Sequence, residues 1–342
     1  MNDINNIEEA NQSNVQSVTV AGKKFSYLYT GTELLKMNVS QIPHLWKPFI
    51  NSQGLSALVG SSDVGKSSFL RQLAIAVVLK NTEFLGHELH VRYGRVIYFS
   101  TEDNQVSINS LLTKQIDKSI NASDLEGLCY IFNVNDPLKV IEEQLKEAKT
   151  DLVIIDAYSD IFEGNSNDLG HVRRFLNKYE KLAQDYDCAI VFLHHLGKRT
   201  ELGPANKNNI IGSQGFEAKM RLVIDLRKQD GSENRLLQIT KGNYLPESIK
   251  SKAMVLSFND KQEFENTGQQ IDKNNSVSKF KYDEEKKAGI MLEVKKLLDK
   301  HLSLDNIKIE LGKLGLTEIP SKGTLSQWVN EMKTSDKNAL AA

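Results

Sequence analysis

The sequence predicts an α/β protein organised around a mostly parallel β-sheet. Two observations carry this expectation. Apolar runs of strand length alternate with segments of helix length from Leu55 onward, and a glycine-rich motif stands where the first such strand meets the first such helix. Five runs read as core strands: Leu55–Val59, Arg95–Ser100, Leu128–Phe132, Leu152–Ile155 and Ala189–Leu193. Their nearly unbroken apolar character fits strands covered on both faces. The spacing predicts helices between them over Lys66–Leu79, about Gln105–Lys118, Pro137–Ala148 and Leu169–Tyr186.

The flanking elements follow in order. Residues 1–24 are polar and predicted to be a flexible, frayed N-terminus, with Val18, Val20 and Phe25–Tyr29 the first stretch able to pair as a strand. The core domain is expected over 25–258. Between Gly197 and Gly212 the chain is polar and unpatterned, which reads as a mobile loop. Arg221–Leu226 and Arg235–Thr240 flank Asp230-Gly231, a hairpin signal that adds antiparallel strands to one edge of the sheet. Residues 259–282, with Asn274-Asn275-Ser276, read as a linker.

A small all-α domain is expected over 283–334, followed by a tail over 335–342. Its first helix, Glu284–Lys300, carries Ile290, Val294, Leu297 and Leu298 on one face. Ser303 can cap a second helix with Ile307, Leu311 and Leu314, and Ser321 a third with Leu325, Trp328, Val329 and Met332. Ser321–Trp328 resembles the recognition helix of helix-turn-helix proteins. The connection Leu311–Ser321 is longer than a tight turn and the module is not basic, so a partner-docking or oligomerisation bundle is the alternative to DNA contact.

The 342 residues hold 43 Lys+Arg against 44 Asp+Glu, so any polyanion site must be a local patch. Cys129 and Cys188 are too few for a disulfide scaffold or a cysteine zinc site, which fits a reducing cytoplasm. No apolar run approaches the ~18 residues of a membrane span, so neither secretion nor membrane insertion is expected.

Gly60-Ser61-Ser62-Asp63-Val64-Gly65-Lys66-Ser67 matches G-x-x-x-x-G-K-[ST]. Successive backbone N–H groups over Gly60–Ser68 would curl around a phosphate, helped by the helix N-terminus. Lys66 would reach the β/γ oxygens and Ser67 would ligate Mg²⁺, so ATP with Mg²⁺ is the expected cofactor. Leu152-Val153-Ile154-Ile155-Asp156 is a buried strand ending in a carboxylate, placed to share the Mg²⁺ with Ser67.

Asp156 is followed by Ala157 rather than by a second acid, so a base that orients the attacking water has to come from a neighbouring strand. Glu102, after the strand ending at Ser100, is the candidate; the alternative is that Glu102-Asp103 caps the next helix, with Asp103 in that role. His194-His195 close the last of the five runs. They are either polar residues leaving the core or a γ-phosphate sensor, and only one can face the nucleotide; His194 is the residue expected to do so.

Together, Leu58–Ser67, Tyr98-Phe99-Ser100-Thr101-Glu102-Asp103, Leu152–Asp156 and Phe192-Leu193-His194-His195 resemble the RecA-like core of RepA-type hexameric replicative helicases, over about residues 40–250. The resemblance implies a RecA-like P-loop ATPase with Glu102 as catalytic base. Gly212-Ser213-Gln214 followed by Arg221 is similar to the family's arginine-finger segment, and Thr240–Tyr244 to the strand end whose lysine, here Lys241, also acts on the neighbouring subunit's nucleotide. Residues Gly215–Met220 match that segment poorly. Implied partners are single-stranded DNA in the channel of a homo-oligomeric, hexameric ring, contacted through Lys198, Arg199 and Lys207, with duplex DNA at the C-terminal helices. A DNA-binding regulatory ATPase without unwinding activity is the second reading and a P-loop small-molecule kinase the third.

Overall fold

The computed structural model describes residues 18–20, 23–25, 28–196, 214–229, 231–273, 284–300, 302–313, 320, 325–326, 328–329 and 332. Lys198, Arg199, Lys207, Gly212, Ser213, Asp230, Leu314 and Ser321 lie outside them, and with them the expectations placed on the basic loop and on the third helix's cap. The chain divides into two units, Met1–Lys273 and Asn274–Ala342.

The first unit is built on a nine-stranded sheet. Its elements are β1 (Gly54–Gly60), α1 (Lys66–Val78), β2 (Val96–Ser100), α2 (Gln105–Gln115), β3 (Leu128–Phe132), α3 (Pro137–Glu147), β4 (Leu152–Asp156), α4 (Leu169–Asp185) and β5 (Ala189–His195). After these come α5 (Gln214–Lys219), β6 (Leu222–Lys228), β7 (Arg235–Gly242), β8 (Lys252–Phe258) and β9 (Phe264–Asp272). The strand order is β9-β8-β7-β6-β1-β5-β4-β2-β3. From β6 to β3 every pairing is parallel, and from β6 to β9 every pairing is antiparallel. The five predicted core strands are all present, and the hairpin expected around Asp230-Gly231 is β6–β7.

Strand alternation divides the core. Leu58, Tyr98, Ile154 and Val191 face α1, whose Phe69, Leu73, Ala74 and Val77 pack against them. Ala57, Ile97, Val153, Ile155 and Ile190 face the other way, onto Ile141 and Leu145 of α3 and Leu176 and Tyr179 of α4. Because both faces are covered, the strands carry no polar alternation, which is why they read as unbroken apolar runs.

Three expectations need correction. The stretch read as a linker, 259–282, contains β9, which joins the sheet antiparallel to β8. β9 is an edge strand whose side chains are mostly exposed, with Phe264 buried, so neither an apolar run nor period-2 alternation marks it. Val18–Val20 pairs with Lys23–Phe25 inside and beside the segment expected to be frayed. The α2 cap is Asn104, whose side chain accepts from Ser107 N at 2.9 Å, rather than Asp103.

In the second unit, α6 (Glu284–Asp299) and α7 (Leu304–Lys313) share a core with a third helical segment. Ile290, Val294, Ile307, Leu311, Leu325, Trp328 and Val329 are its buried members. The Ser303 hydroxyl accepts from Asn306 N at 3.4 Å, the cap its sequence position suggested. Among the described residues no helix is long and apolar enough to cross a membrane.

Candidate functional site

The cleft of about 530 Å³ at the C-terminal edge of the parallel strands is assembled from the turn after β1, the ends of β2 and β5, and the β8–β9 turn. Gly60 must be glycine because a Cβ there would lie 2.4 Å from the Leu226 carbonyl oxygen of β6. Gly65 sits at φ +94°, in the left-handed region, and its Cβ would meet the Phe264 ring at 2.8 Å. It is the N-cap of α1, contributes no side-chain cap, and no acidic residue stands in the first turn, so the helix's first N–H groups remain available to an anion.

Lys66 is buried, and its Nζ donates to the Ser61 carbonyl at 2.6 Å. Burial lowers its pKa, opposed by the negative field of Asp156, Glu102, Asp63 and Asp225. Asp225, buried on β6 and paired with Arg227 at 2.8 Å, has its own carboxyl pushed up by burial.

At the end of β4, Asp156 is 3% exposed and accepts from the Tyr98 hydroxyl at 2.8 Å. Burial pushes its pKa up to about 6, against the opposing hydrogen bonds of Tyr98 and Ser67. Its Oδ1 is buried and has no hydrogen-bond partner among the described residues. A buried carboxylate oxygen left unpaired beside a serine hydroxyl is a hard-oxygen donor set that fits Mg²⁺, which would supply its missing partner and hold it ionised. The described residues therefore suit the expected cation at Ser67 and Asp156.

Glu102 follows β2 on the same edge, freed from capping by Asn104. Its Oε1 lies 3.0 Å from His195 Nε2, and His195 Nδ1 lies 3.4 Å from Lys66 Nζ. The imidazole thus bridges the phosphate-loop lysine and the candidate base. This corrects the choice between the two histidines. His194 is 4% exposed and turned into the opposite layer, its ring 5.0 Å from Tyr158 and 4.9 Å from Phe216, with Nδ1 accepting from His195 N. Adjacent strand residues take opposite faces, but which face holds the nucleotide depends on the register of β5 against β1, where His195 pairs with Gly60.

Arg221 and Lys241 lie elsewhere. Arg221 N donates to Leu55 O at the N-terminal end of β1, and Lys241 pairs with Val223 at the start of β6. The seven residues of β1 put them roughly 20 Å of strand from the phosphate loop. Each is held by an acid: Arg221 Nη2 is 3.5 Å from Glu180, and Lys241 Nζ is 3.5 Å from Glu217 while donating to the Glu217 carbonyl at 2.6 Å. Neither reaches the cleft of its own chain.

Three residues at or beside the cleft carried no sequence signal. Arg235 opens β7 and, through antiparallel pairing, returns to the phosphate loop, donating to Val64 O at 3.2 Å with its guanidinium 5.0 Å from the Phe258 ring centroid. Phe258 ends β8, Gln262 lies in the turn before β9, and both line the cleft.

A parallel sheet with a glycine-rich anion loop after its first core strand, a strand-end carboxylate beside it and a second acid on the adjacent strand defines a P-loop nucleoside triphosphatase with a RecA-like core. A family model described as an AAA domain matches residues 29–201, about half of the chain, and the chain belongs to that family of ATPase domains. Among solved structures, one described as an ATPase domain is similar at 13% identity and a TM-score of 0.52, covering 69% of this chain and 95% of that one. At that identity the likeness concerns the fold. Comparison with curated proteins yields no match.

Proposed function

We propose that the protein is a ring-forming ATPase that works on DNA, a replicative helicase of the RepA type from a plasmid or other mobile element. The observation that carries this reading is the division of cations. Lys66 lines the cleft with Glu102, beside the buried Asp156 at the end of β4, whereas Arg221 and Lys241 stand at the far edge of the sheet, beyond their own cleft's reach. Cations so placed serve hydrolysis when a second copy presents them, which ties turnover to assembly.

In this reading the Gly60–Ser68 backbone and Lys66 hold the β- and γ-phosphates of ATP, and Ser67 and Asp156 hold Mg²⁺. When bound, the cation neutralises charge on the phosphate oxygens. Glu102 orients the attacking water and takes its proton. His195, between Glu102 and Lys66, keeps the carboxylate aimed into the cleft. Arg221 and Lys241 of the next subunit offset charge developing on the transferred phosphoryl group.

Mixing supplies the test. Arg221→Ala and Lys66→Ala subunits are each expected to be inactive, and their mixture to regain ATPase activity, because some interfaces then pair an intact loop with an intact finger. No recovery in co-assembled mixtures refutes the action of Arg221 across the subunit interface. DNA is tested separately: single strands are expected to stimulate turnover, and to do so after removal of residues 283–342. The separate helical core of the second unit favours the regulatory reading, under which that deletion abolishes DNA binding instead.

A further inference from the structure

The cleft extends past the phosphate loop, and chain direction says which end is which. Lys66, His195 and Glu102 stand where the terminal phosphate falls. Ser68, and Arg71 one turn further along α1, line the opposite end, so the nucleoside half of a bound nucleotide lies there. The β8–β9 turn closes this end with Gln262.

Gln262 is anchored in one orientation. Its Oε1 accepts from Ser68 Oγ at 3.1 Å and from Arg71 Nη2 at 3.5 Å, and its backbone carbonyl accepts from Gln115 Nε2 at 2.7 Å. A guanidinium only donates, so the carbonyl side of the carboxamide must face Arg71, which leaves Nε2 as the free end. Nε2 makes no hydrogen bond with any described residue. Arg71 repeats the pattern: it is 1% exposed, gives Nε to Gln115 at 2.6 Å and Nη2 to Ser68 at 3.3 Å, and its Nη1 has no partner among the described residues. Two unspent donors thus stand beyond the phosphate loop, held by a network that joins α1, α2 and the β8–β9 turn. Unspent donors in so well satisfied a network point to a ligand that brings the acceptor.

We propose that the β8–β9 turn is the nucleoside-binding element of the site and that Gln262 Nε2 donates to an acceptor on the ribose or base of the nucleotide. This rests on the cleft being a nucleoside triphosphate site. The turn lies on the antiparallel extension of the sheet, outside the matched AAA domain, so affinity for the nucleoside is set by strands added to the core rather than by the core itself.

The test compares three probes on full-length protein by calorimetry: ATP, ribose 5′-triphosphate and inorganic tripolyphosphate. Gln262→Met removes the donor at nearly constant length, and Gln262→Asn withdraws it while suiting the left-handed backbone at this position, φ 63°. Both variants are expected to weaken ATP by about five- to tenfold, the worth of one hydrogen bond, and to bind tripolyphosphate within about twofold of wild type. Ribose triphosphate that weakens with ATP assigns the acceptor to the sugar; ribose triphosphate that follows tripolyphosphate assigns it to the base. Equal weakening of ATP and tripolyphosphate, or no weakening of ATP, overturns the proposal. Wild-type protein that binds neither ATP nor tripolyphosphate would instead sink the nucleotide-site reading beneath it.

Discussion

Asp156→Asn is expected to stabilise the cation-free protein while abolishing Mg²⁺-dependent turnover. The magnitude follows from burial. Burial pushes the carboxyl up to about 6 in the fold from an ordinary 3.8, which favours its neutral form by about 3 kcal/mol at ~1.36 kcal/mol per tenfold change. The sign follows too. A carboxyl raised in the fold contributes stability that is fully present below its unfolded value and is lost as pH rises through the folded value. At about pH 7.5 the wild-type protein without Mg²⁺ therefore carries the whole cost of an ionised buried carboxylate.

Asparagine is uncharged throughout and keeps an acceptor for the Tyr98 hydroxyl, but it sets an unpaired NH₂ where Oδ1 stood, at a cost of about 1–2 kcal/mol. The variant should be about 1–2 kcal/mol more stable than wild type in EDTA near pH 7.5, with the advantage gone near pH 4. Urea unfolding followed by circular dichroism at the two pH values measures it. A variant less stable than wild type by about 1 kcal/mol near pH 7.5, or a difference independent of pH, would refute the argument that Asp156 is a strained, charge-demanding group.

Other consequences are open to direct measurement. Glu102→Gln should leave ATP binding unchanged and lower kcat by roughly a hundredfold or more, and wild-type turnover would return Glu102 to a surface role. The two histidines should separate: His195→Ala should lower kcat about tenfold or more with a thermal midpoint near wild type, whereas His194→Ala, which empties a place between Tyr158 and Phe216, should cost about 1–3 kcal/mol of stability. Gly65→Ala should weaken tripolyphosphate and ATP alike and destabilise by about 1–3 kcal/mol, because the added Cβ meets the Phe264 ring in a left-handed backbone; unchanged phosphate binding would contradict that geometry.

The sequence by itself marked the parallel core, the glycine-rich motif and the acids Asp156 and Glu102 at strand ends. Each of these is a local pattern: an apolar run long enough to be a buried strand, followed at once by the glycines or the acid that its C-terminal end presents. Strand polarity then brings such ends to one edge whatever the strand order, so the edge that carries the cleft could be read from the sequence. Tertiary structure alone decided between His194 and His195, because both obey the same alternation and the register of β5 beside β1 selects the face. It alone brought Phe258 and Gln262 to the cleft and Arg235 to the phosphate loop, from an antiparallel extension distant in sequence. β9 leaves no signal in the sequence for a related reason. An edge strand exposed along most of its length is specified by the hydrogen bonds of its neighbour, and backbone hydrogen bonds leave no mark on the order of side chains.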